Sequence, residues 1–356
     1  MSENQALILT EIRNRVGHLT LNRVAAFNAI NLEMVRTIRQ QLDVWAADEG
    51  VVAVVLRANG DKAFCAGGDI RELYNNAQQN PQLNETFFTE EYALDLLIHN
   101  YPKPVIALIN GLVLGGGMGL TQGASFRIIT EKARLGMPEV SIGFFPDVGG
   151  SYFLSRLPGE TGTYMGVSGN PVGAADALQL GLADWFLHAE QIPELDRCLN
   201  TMQWGHSSQE SIRSLLNTLA CKHASGAQLT SVRTAIAQHF AHNSVAEIIT
   251  SLKSETDSTV KPWCEELINT LATRSPIAMA TTLEMLRRGK NLSLANCFQL
   301  ELHLGQQWFK KGDFMEGVRA LIIDKDKKPQ WQPATLDALA PNQIKDLFAG
   351  FQAQAI

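Results

Sequence analysis

Short apolar runs alternate with helical patterns through the first half of the chain. Residues 17–22 alternate polar and apolar side chains, as a half-buried strand does. Residues 51–56 form a continuous apolar run rich in valine, which is typical of a strand buried on both faces. The other predicted elements are helices over 31–45, from residue 70 and over 87–99, and strands over 105–109 and 126–130. The order β-β-α-β-α-α-β-α-β predicts an α/β fold with a mainly parallel sheet, because helices separate the strands.

The pattern changes after about residue 204. Strand-like runs disappear, and helical patterns dominate over 211–219, 244–252, 262–273 and 277–288. Ser275-Pro276 indicates where the last of these helices begins, since proline is tolerated in the first helical turn. We therefore predict an α/β core over residues 1–204 and a helical carboxy-terminal region over residues 205–356 that packs on this core.

Composition and charge narrow the class of protein. The 356 residues are 45% hydrophobic, as in globular proteins, and carry a net charge of −6, so nucleic acid is not an expected partner. The five cysteines stand singly, which indicates free thiols in a reducing compartment. The apolar stretch 105–120 is interrupted by Asn110 and several glycines, and residues 1–5 carry no targeting pattern. We therefore expect a cytoplasmic protein without a membrane span.

Two glycine-rich segments lie between a predicted strand and a predicted helix. They are Ala63-Phe-Cys-Ala-Gly-Gly-Asp69 and Gly115-Gly-Gly-Met-Gly119. Glycines at such turns let a ligand approach backbone N–H groups, and two facing turns can donate to one oxygen as an oxyanion hole. Tight turns and close helix packing explain the same glycines equally well. Neither segment has the spacing of a dinucleotide or nucleotide triphosphate motif.

Two carboxylates follow in an apolar setting, Glu139 in Met-Pro-Glu and Asp147 in Gly-Phe-Phe-Pro-Asp. Desolvation by Phe144 and Phe145 would raise a carboxyl pKa towards neutrality, as general acid–base catalysis requires. Structural explanations also fit, because Asp147 could cap a helix over 148–157 and Glu139 could lie in a first helical turn.

The histidines and serines give little support to other chemistries. His239 and His242 are three residues apart, but no third ligand is evident, so no metal site is predicted. No G-x-S-x-G motif is present, which disfavours a serine hydrolase.

Taken together and in this order, the motifs resemble those of the crotonase (enoyl-CoA hydratase/isomerase) superfamily. The matching stretches are 21–29, 63–71, 110–119 and the Met-Pro-Glu at 137–139. The resemblance implies a ClpP-like spiral of ββα units with a helical carboxy-terminal region. It also implies that Gly68 and Gly116 supply the N–H groups that hold a thioester oxygen.

The resemblance extends to the 3-hydroxyisobutyryl-CoA hydrolase subfamily. The stretches 144–154, 313–326 and 329–331 are similar to its signature, as is Glu90-Glu91-Tyr92, in which the second glutamate contributes to the substrate pocket. One departure from the wider superfamily is informative. Hydratases carry a glutamate where this chain has Gly119, and water addition across a double bond needs two carboxylates that flank the substrate.

The resemblance implies hydrolysis of an acyl-CoA thioester, with Glu139 as nucleophile or general base and Asp147 as its acid–base partner. Glu91 would bind substrate, and Arg23 and Arg71 are candidates for the phosphates of coenzyme A. Coenzyme A enters as part of the substrate, and no metal or redox cofactor is expected. Homo-oligomers are possible, as among crotonase relatives. The alternative is an enoyl-CoA hydratase or isomerase that acts on 2- or 3-enoyl-CoA.

Overall fold

A computed structural model describes residues 6–221 and 223–354. Residues 1–5, on which the predicted lack of a targeting segment rests, lie outside this described part. The chain forms two compact units that interleave along the sequence. The first unit contains 1–69, 90–135 and 172–227, and the second contains 70–89, 136–171 and 228–356. The predicted α/β core over 1–204 and helical region over 205–356 stay a prediction, and each of the two units contains segments from both sides of residue 204.

A six-stranded sheet forms the centre of the first unit. Its order is β1-β2-β3-β5-β7-β10, and only the β1–β2 pair is antiparallel. The central strands are buried on both faces, as the valine-rich runs predict. The strands are β1 (Ile8–Arg13), β2 (Val16–Leu21), β3 (Ala53–Ala58), β4 (Ala63–Cys65), β5 (Val105–Ile109), β6 (Leu112–Leu114), β7 (Phe126–Ile129), β8 (Arg134–Gly136), β9 (Val172–Gly173) and β10 (Trp185–Phe186). The predicted α/β fold with a mainly parallel sheet is confirmed.

A smaller sheet has the order β4-β6-β8-β9. β4 runs parallel to β6, with Ala63 opposite Leu112 and Cys65 opposite Val113. Both predicted glycine-rich turns follow directly from these two strands. Because parallel strands end at the same edge of a sheet, the two turns begin side by side.

Helices cover the large sheet of the first unit. Leu195 and Leu199 of one helix and Ile212 and Leu216 of the next pack into a core with side chains of β2, β3, β5 and β7. Each such fully buried aliphatic side chain stabilises the fold by about 1.5–3 kcal/mol relative to its exposed state. The helices of this unit are α1 (Leu32–Ala47), α4 (Gly116–Gln122), α7 (Ala174–Leu180), α8 (Ile192–Thr201) and α9 (Ser208–Leu219), together with the later part of α3 (Gln82–His99).

The second unit is helical. Ser275 accepts a hydrogen bond from Ala278 N at 3.2 Å and precedes a proline, so the predicted start of that helix is confirmed. Its helices are α2 (Ile70–Gln79), α5 (Gly150–Phe153), α6 (Thr161–Ser168), α10 (Arg233–His239), α11 (Val245–Lys253), α12 (Lys261–Leu271), α13 (Pro276–Gly289), α14 (Leu294–Lys311), α15 (Phe314–Val318) and α16 (Gln343–Leu347), with a π-helix over Arg319–Ile323. Among the described helices none has the length and apolar character needed to cross a bilayer.

Candidate active site

The first glycine-rich turn follows β4. Its Gly67 has φ +104°, a conformation that an L side chain rarely adopts, and Ile30 N donates to Gly67 O at 2.8 Å. Asp69 N donates to Ile30 O at 2.7 Å, so the bridge to Ile30 uses the groups on either side of Gly68. Across the described residues the N–H of Gly68 has no hydrogen-bond acceptor. This backbone donor is therefore available to a ligand.

The second glycine-rich turn begins α4. Gly116 is the first residue of this helix, where the N–H has no carbonyl one turn earlier to bond. A Cβ atom at Gly116 would lie 3.4 Å from Gly68 N, and a Cβ atom at Gly67 would lie 3.7 Å from Gly116 N. The two glycine turns therefore adjoin within the first unit, as the oxyanion-hole interpretation requires.

Glu91 lies beside the second turn. Its side chain is buried, and its Oε1 is so close to Gly116 that a Cβ atom there would collide with it. The neighbouring Glu90 forms a bidentate pair with Arg36 of α1, at 2.8 and 2.7 Å, which anchors this part of α3. The structure thus brings Gly68, Gly116 and Glu91 together in one unit.

Cys65 ends β4 and lies under the same turns. Burial raises the pKa of its thiol to about 12, and the nearby carboxylates Glu91 and Asp95 add to the rise, while a hydrogen bond with Gly67 opposes it. A thiol with this pKa stays protonated at neutral pH and is a poor nucleophile. Cys65 is therefore a packing residue.

Glu139 is a buried carboxylate of the second unit. It begins a 3-10 helix over Glu139–Ile142, which Gly143 ends in the left-handed region at φ +71°. The pKa of Glu139 is raised well above its ordinary value, first by burial and then by the charge of Asp147. Within the described residues its Oε2 accepts no hydrogen bond. A buried carboxylate oxygen without a donor is rare, and it suits a group that must react with substrate or water.

Aromatic rings surround the segment after Glu139. Phe144 and Phe145 are both buried, with ring centroids 4.4 Å apart. Trp308 packs edge-on against Phe145 at 5.1 Å and donates through Nε1 to Gly143 O at 2.8 Å. The predicted apolar setting of the carboxylates is thus confirmed, and part of it comes from α14.

Asp147 does not cap a helix over 148–157. Val148 and Gly149 adopt positive φ values of +50° and +85°, so the helix begins only at Gly150, with Gly149 and not Asp147 as its N-cap residue. Glu301 of α14 is the residue that sequence reasoning missed. Its carboxylate accepts hydrogen bonds from Gly149 N and Ser151 N at 2.8 and 2.9 Å. No local pattern could indicate it, since it lies about 150 positions away in the chain.

The two arginines predicted to bind phosphate have protein partners. Arg23 pairs with Asp69 at 2.6 Å and donates to Ala29 O at 3.0 Å. Arg71 is exposed and donates to Ile322 O at 3.2 Å. A phosphate at Arg23 would therefore compete with a carboxylate, whereas one at Arg71 would compete only with a carbonyl.

His239 has neighbours that the sequence did not indicate. Ligand atoms of His239, Glu255 and Cys264 all lie within 4.8 Å of one another. Both ring nitrogens of His239 are already hydrogen-bonded, to Ser251 Oγ at 2.8 Å and to Glu255 Oε2 at 3.0 Å. These hydrogen bonds explain the arrangement as a polar network around the buried His239 of the second unit. That no metal binds this chain stays a prediction.

Sequence comparison identifies the family to which this fold and these turns belong. A family model described as enoyl-CoA hydratase/isomerase matches residues 16–348. The chain therefore belongs to the enoyl-CoA hydratase/isomerase family, and the predicted crotonase membership is confirmed. Within the family it is similar over nearly its whole length to proteins named "3-hydroxyisobutyryl-CoA hydrolase, mitochondrial". It is 34% identical to that of Gallus gallus, over 98% of this chain and 90% of the relative, and 37% identical to that of Danio rerio, over 96% and 89%.

Two solved structures have the same fold, but they are named as enzymes other than the hydrolase. A carnitinyl-CoA dehydratase from Mycobacterium thermoresistibile has a TM-score of 0.89, with 34% identity over 97% of both chains. An enoyl-CoA hydratase from Rhodobacter sphaeroides 2.4.1 has a TM-score of 0.86, also with 34% identity over 97% of both chains. The predicted crotonase fold is thereby confirmed. These names differ from those of the sequence relatives, so the fold by itself does not identify the reaction.

Proposed function

We propose that this chain is an acyl-CoA thioester hydrolase that converts 3-hydroxyisobutyryl-CoA and water to 3-hydroxyisobutyrate and coenzyme A. The observation that carries the proposal is Glu139, a buried carboxylate of raised pKa beside Asp147, with one oxygen that accepts no hydrogen bond among the described residues. Such a group is equipped to attack a carbonyl carbon or to take a proton from water. Relatives that carry the hydrolase name over nearly the full chain support the same reaction.

The thioester oxygen is proposed to accept hydrogen bonds from the N–H groups of Gly68 and Gly116. The adjoining turns and the available Gly68 N–H support this role. Negative charge develops on that oxygen when the carbonyl carbon becomes tetrahedral, and each preorganised donor contributes about 3–4 kcal/mol to its stabilisation. Glu91, buried against Gly116, is proposed to bind the acyl part of the substrate.

Glu139 is proposed either to attack the carbonyl carbon, giving an acyl-enzyme anhydride, or to deprotonate the attacking water. In the first route the C–S bond breaks as the anhydride forms, and water then cleaves the anhydride to give the free acid and the Glu139 carboxylate. In the second route the oxygen of water bonds to the acyl carbon and the C–S bond breaks. In both routes the departing thiolate takes a proton. Asp147 is proposed to orient Glu139, to bind the substrate hydroxyl or to supply that proton. Glu139 is thus the nucleophile in the first route and the base in the second, and both routes need an acid group that donates a proton to the thiolate.

Coenzyme A is proposed to enter only as part of the substrate, with no separate cofactor. Of the two candidate phosphate-binding arginines, Arg71 is favoured, since it is exposed and its partner among the described residues is a carbonyl oxygen. Arg23 would have to leave Asp69 to bind a phosphate.

A thiol-release assay tests the proposal. Free thiol is expected from 3-hydroxyisobutyryl-CoA and not from crotonyl-CoA, and Glu139→Gln is expected to abolish release while ligand binding persists.

The alternative is a hydratase, which the names of two similar structures favour. Gly119, buried in α4, argues against it, because hydratases resemble this chain there but carry a glutamate. Hydration of crotonyl-CoA without thiol release would reject the hydrolase.

A role in valine catabolism follows from the proposed substrate. We propose the cytoplasm as the location, since all five cysteines are free thiols, although the sequence relatives are named mitochondrial. Fractionation of the source cells tests this location. Homo-oligomer formation is proposed by analogy with the family, and light scattering of the purified chain tests it.

A further inference from the structure

Glu301 is a buried carboxylate to which the proposed mechanism gives no task. It lies within α14 and is fully excluded from solvent. Its Oε2 accepts a hydrogen bond from Gly149 N at 2.8 Å. Its Oε1 accepts one from Ser151 N at 2.9 Å and one from Ser151 Oγ at 2.5 Å. Because burying a carboxyl group is costly, three donors that converge on one side chain indicate a specific role for that side chain.

The segment that Glu301 holds is a strained turn. Val148 has φ +50°, which a β-branched residue rarely adopts, because its Cβ approaches the following carbonyl oxygen. Such a conformation persists only where its surroundings impose it. Gly150 N donates to Asp147 O at 2.6 Å and closes the turn, while Glu301 bonds the backbone at Gly149 and Ser151. The backbone directly after Asp147 is thus fixed by a side chain from another helix.

The charge of Asp147 also acts on the carboxyl group of Glu301. The pKa of Glu301 is raised to about 8, first by burial, and the charge of Asp147 adds to the rise. The hydrogen bonds from Ser151 and Gly149 lower the same pKa. Since Asp147 raises the pKa of Glu139 as well, its carboxylate acts electrostatically on both Glu139 and Glu301.

We propose that Glu301 is a positioning residue, which holds the 147–151 turn in the conformation that presents the Asp147 carboxylate to Glu139. The inference rests on the proposed function, because that function gives Asp147 its task. Glu301 does not act on the reacting atoms and contributes only through the backbone that it bonds.

The kinetic test uses Glu301→Gln in the full chain, with 3-hydroxyisobutyryl-CoA as substrate. Glutamine keeps the size of the side chain but directs N–H groups at one of the backbone donors. We expect kcat to fall about 10- to 100-fold, as for a catalytic group displaced by about 1 Å, while KM changes by less than about threefold. An unchanged kcat, or a loss seen only in KM, would overturn the proposal.

Glu255→Gln is the matched control. Glu255 also belongs to the second unit and forms three hydrogen bonds, with Thr256 N at 2.7 Å, Asp257 N at 2.8 Å and His239 at 3.0 Å. We expect this variant to keep kcat within about twofold of the parent chain, since it lacks a link to Asp147. An equal loss of kcat in both variants would mean that any hydrogen-bonded carboxylate of this unit matters, and the specific role of Glu301 would be rejected.

A rescue experiment separates positioning from a general structural role. Glycine adopts positive φ without strain, so Val148→Gly lets the turn form with less support. Added to Glu301→Gln, it is expected to recover part of the lost kcat. A further loss in the double variant would contradict the proposal.

Hydrogen exchange tests the turn independently of activity. Backbone amides of a peptide that covers 144–153 are expected to exchange faster in Glu301→Gln than in the parent chain or in Glu255→Gln. Unchanged exchange would overturn the inference even if thiol release is observed. If the parent chain releases no thiol, the proposed function fails, and the exchange result still decides whether Glu301 holds the turn.

Discussion

At the scale of single residues, Glu139 shows what local sequence can and cannot predict. The phenylalanines at 144 and 145 predicted an apolar setting, and burial is indeed the main cause of its raised pKa. The oxygen of Glu139 that accepts no hydrogen bond in the described structure was not predictable, since a local pattern does not show which donors lie nearby in the fold. The segment after Glu139 shows the same limit, because Trp308 of α14 donates to the backbone at Gly143.

The raised pKa of Glu139 predicts a stability that depends on pH. Above the ordinary glutamate pKa of about 4.5 the unfolded chain has lost this proton, while the folded chain still holds it. Stability therefore falls as pH rises from that value up to the raised folded pKa. Glu139→Gln removes the charge, so we expect it to raise the free energy of unfolding by about 1 kcal/mol or more at pH 8 and by less at pH 5. Urea denaturation at both pH values measures the difference, and an equal effect at both would contradict the shift.

At the scale of elements, the turn into α4 should tolerate no side chain. A Cβ atom at Gly116 would collide with Glu91 Oε1 and lie 3.4 Å from Gly68 N, where the thioester oxygen is proposed to bind. We expect Gly116→Ala to lower kcat by about 100-fold, which is typical for the loss of an oxyanion-hole donor. The thiol-release assay measures this, with circular dichroism to verify folding.

Gly305 provides the control for that substitution. It lies inside α14, and a Cβ atom there would have no neighbour within 4 Å. Gly305→Ala is expected to keep kcat and to stabilise the fold by about 0.5–1 kcal/mol, because alanine favours the helix. If Gly116→Ala were as active as Gly305→Ala, Gly116 would have no part in the oxyanion hole.

The start of helix α5 could not be predicted from the local sequence pattern. Sequence spacing predicted a helix over 148–157, but the helix begins at Gly150 after two residues of positive φ. Strands and long helices were predictable because their periodicity is repeated over many residues, as in β5 and α13. A short turn fixed by Glu301 has no such repetition, so its conformation depends on a tertiary contact.

At the scale of the whole molecule, the fold class was predictable and the grouping of segments was not. Alternating strands and helices indicated the parallel sheet of the first unit, and the later helices were evident from their spacing. The segment 136–171, however, belongs with 228–356 in the second unit, and α9 packs on the sheet of the first. Chain order does not indicate such interleaving, because it depends on which apolar faces meet.

This interleaving makes a prediction about the fragment 1–204. The fragment keeps 136–171 but lacks 228–356, with which that segment packs in the second unit. Phe144 and Phe145 would lose Trp308, and Val140 O would lose the hydrogen bond from Ser275 N at 3.3 Å. We expect exposed aromatic surface, binding of an apolar dye and no cooperative thermal transition, because the rings and backbone around Glu139 lose these contacts with the segment 275–311 and keep only nearer ones such as the stacking of Phe144 on Phe88. The full chain, as control, should melt cooperatively and bind little dye. A sharp transition with native near-ultraviolet dichroism in the fragment would instead mean that residues 1–204 fold alone, and that the carboxylate pair does not need the later helices for its structure.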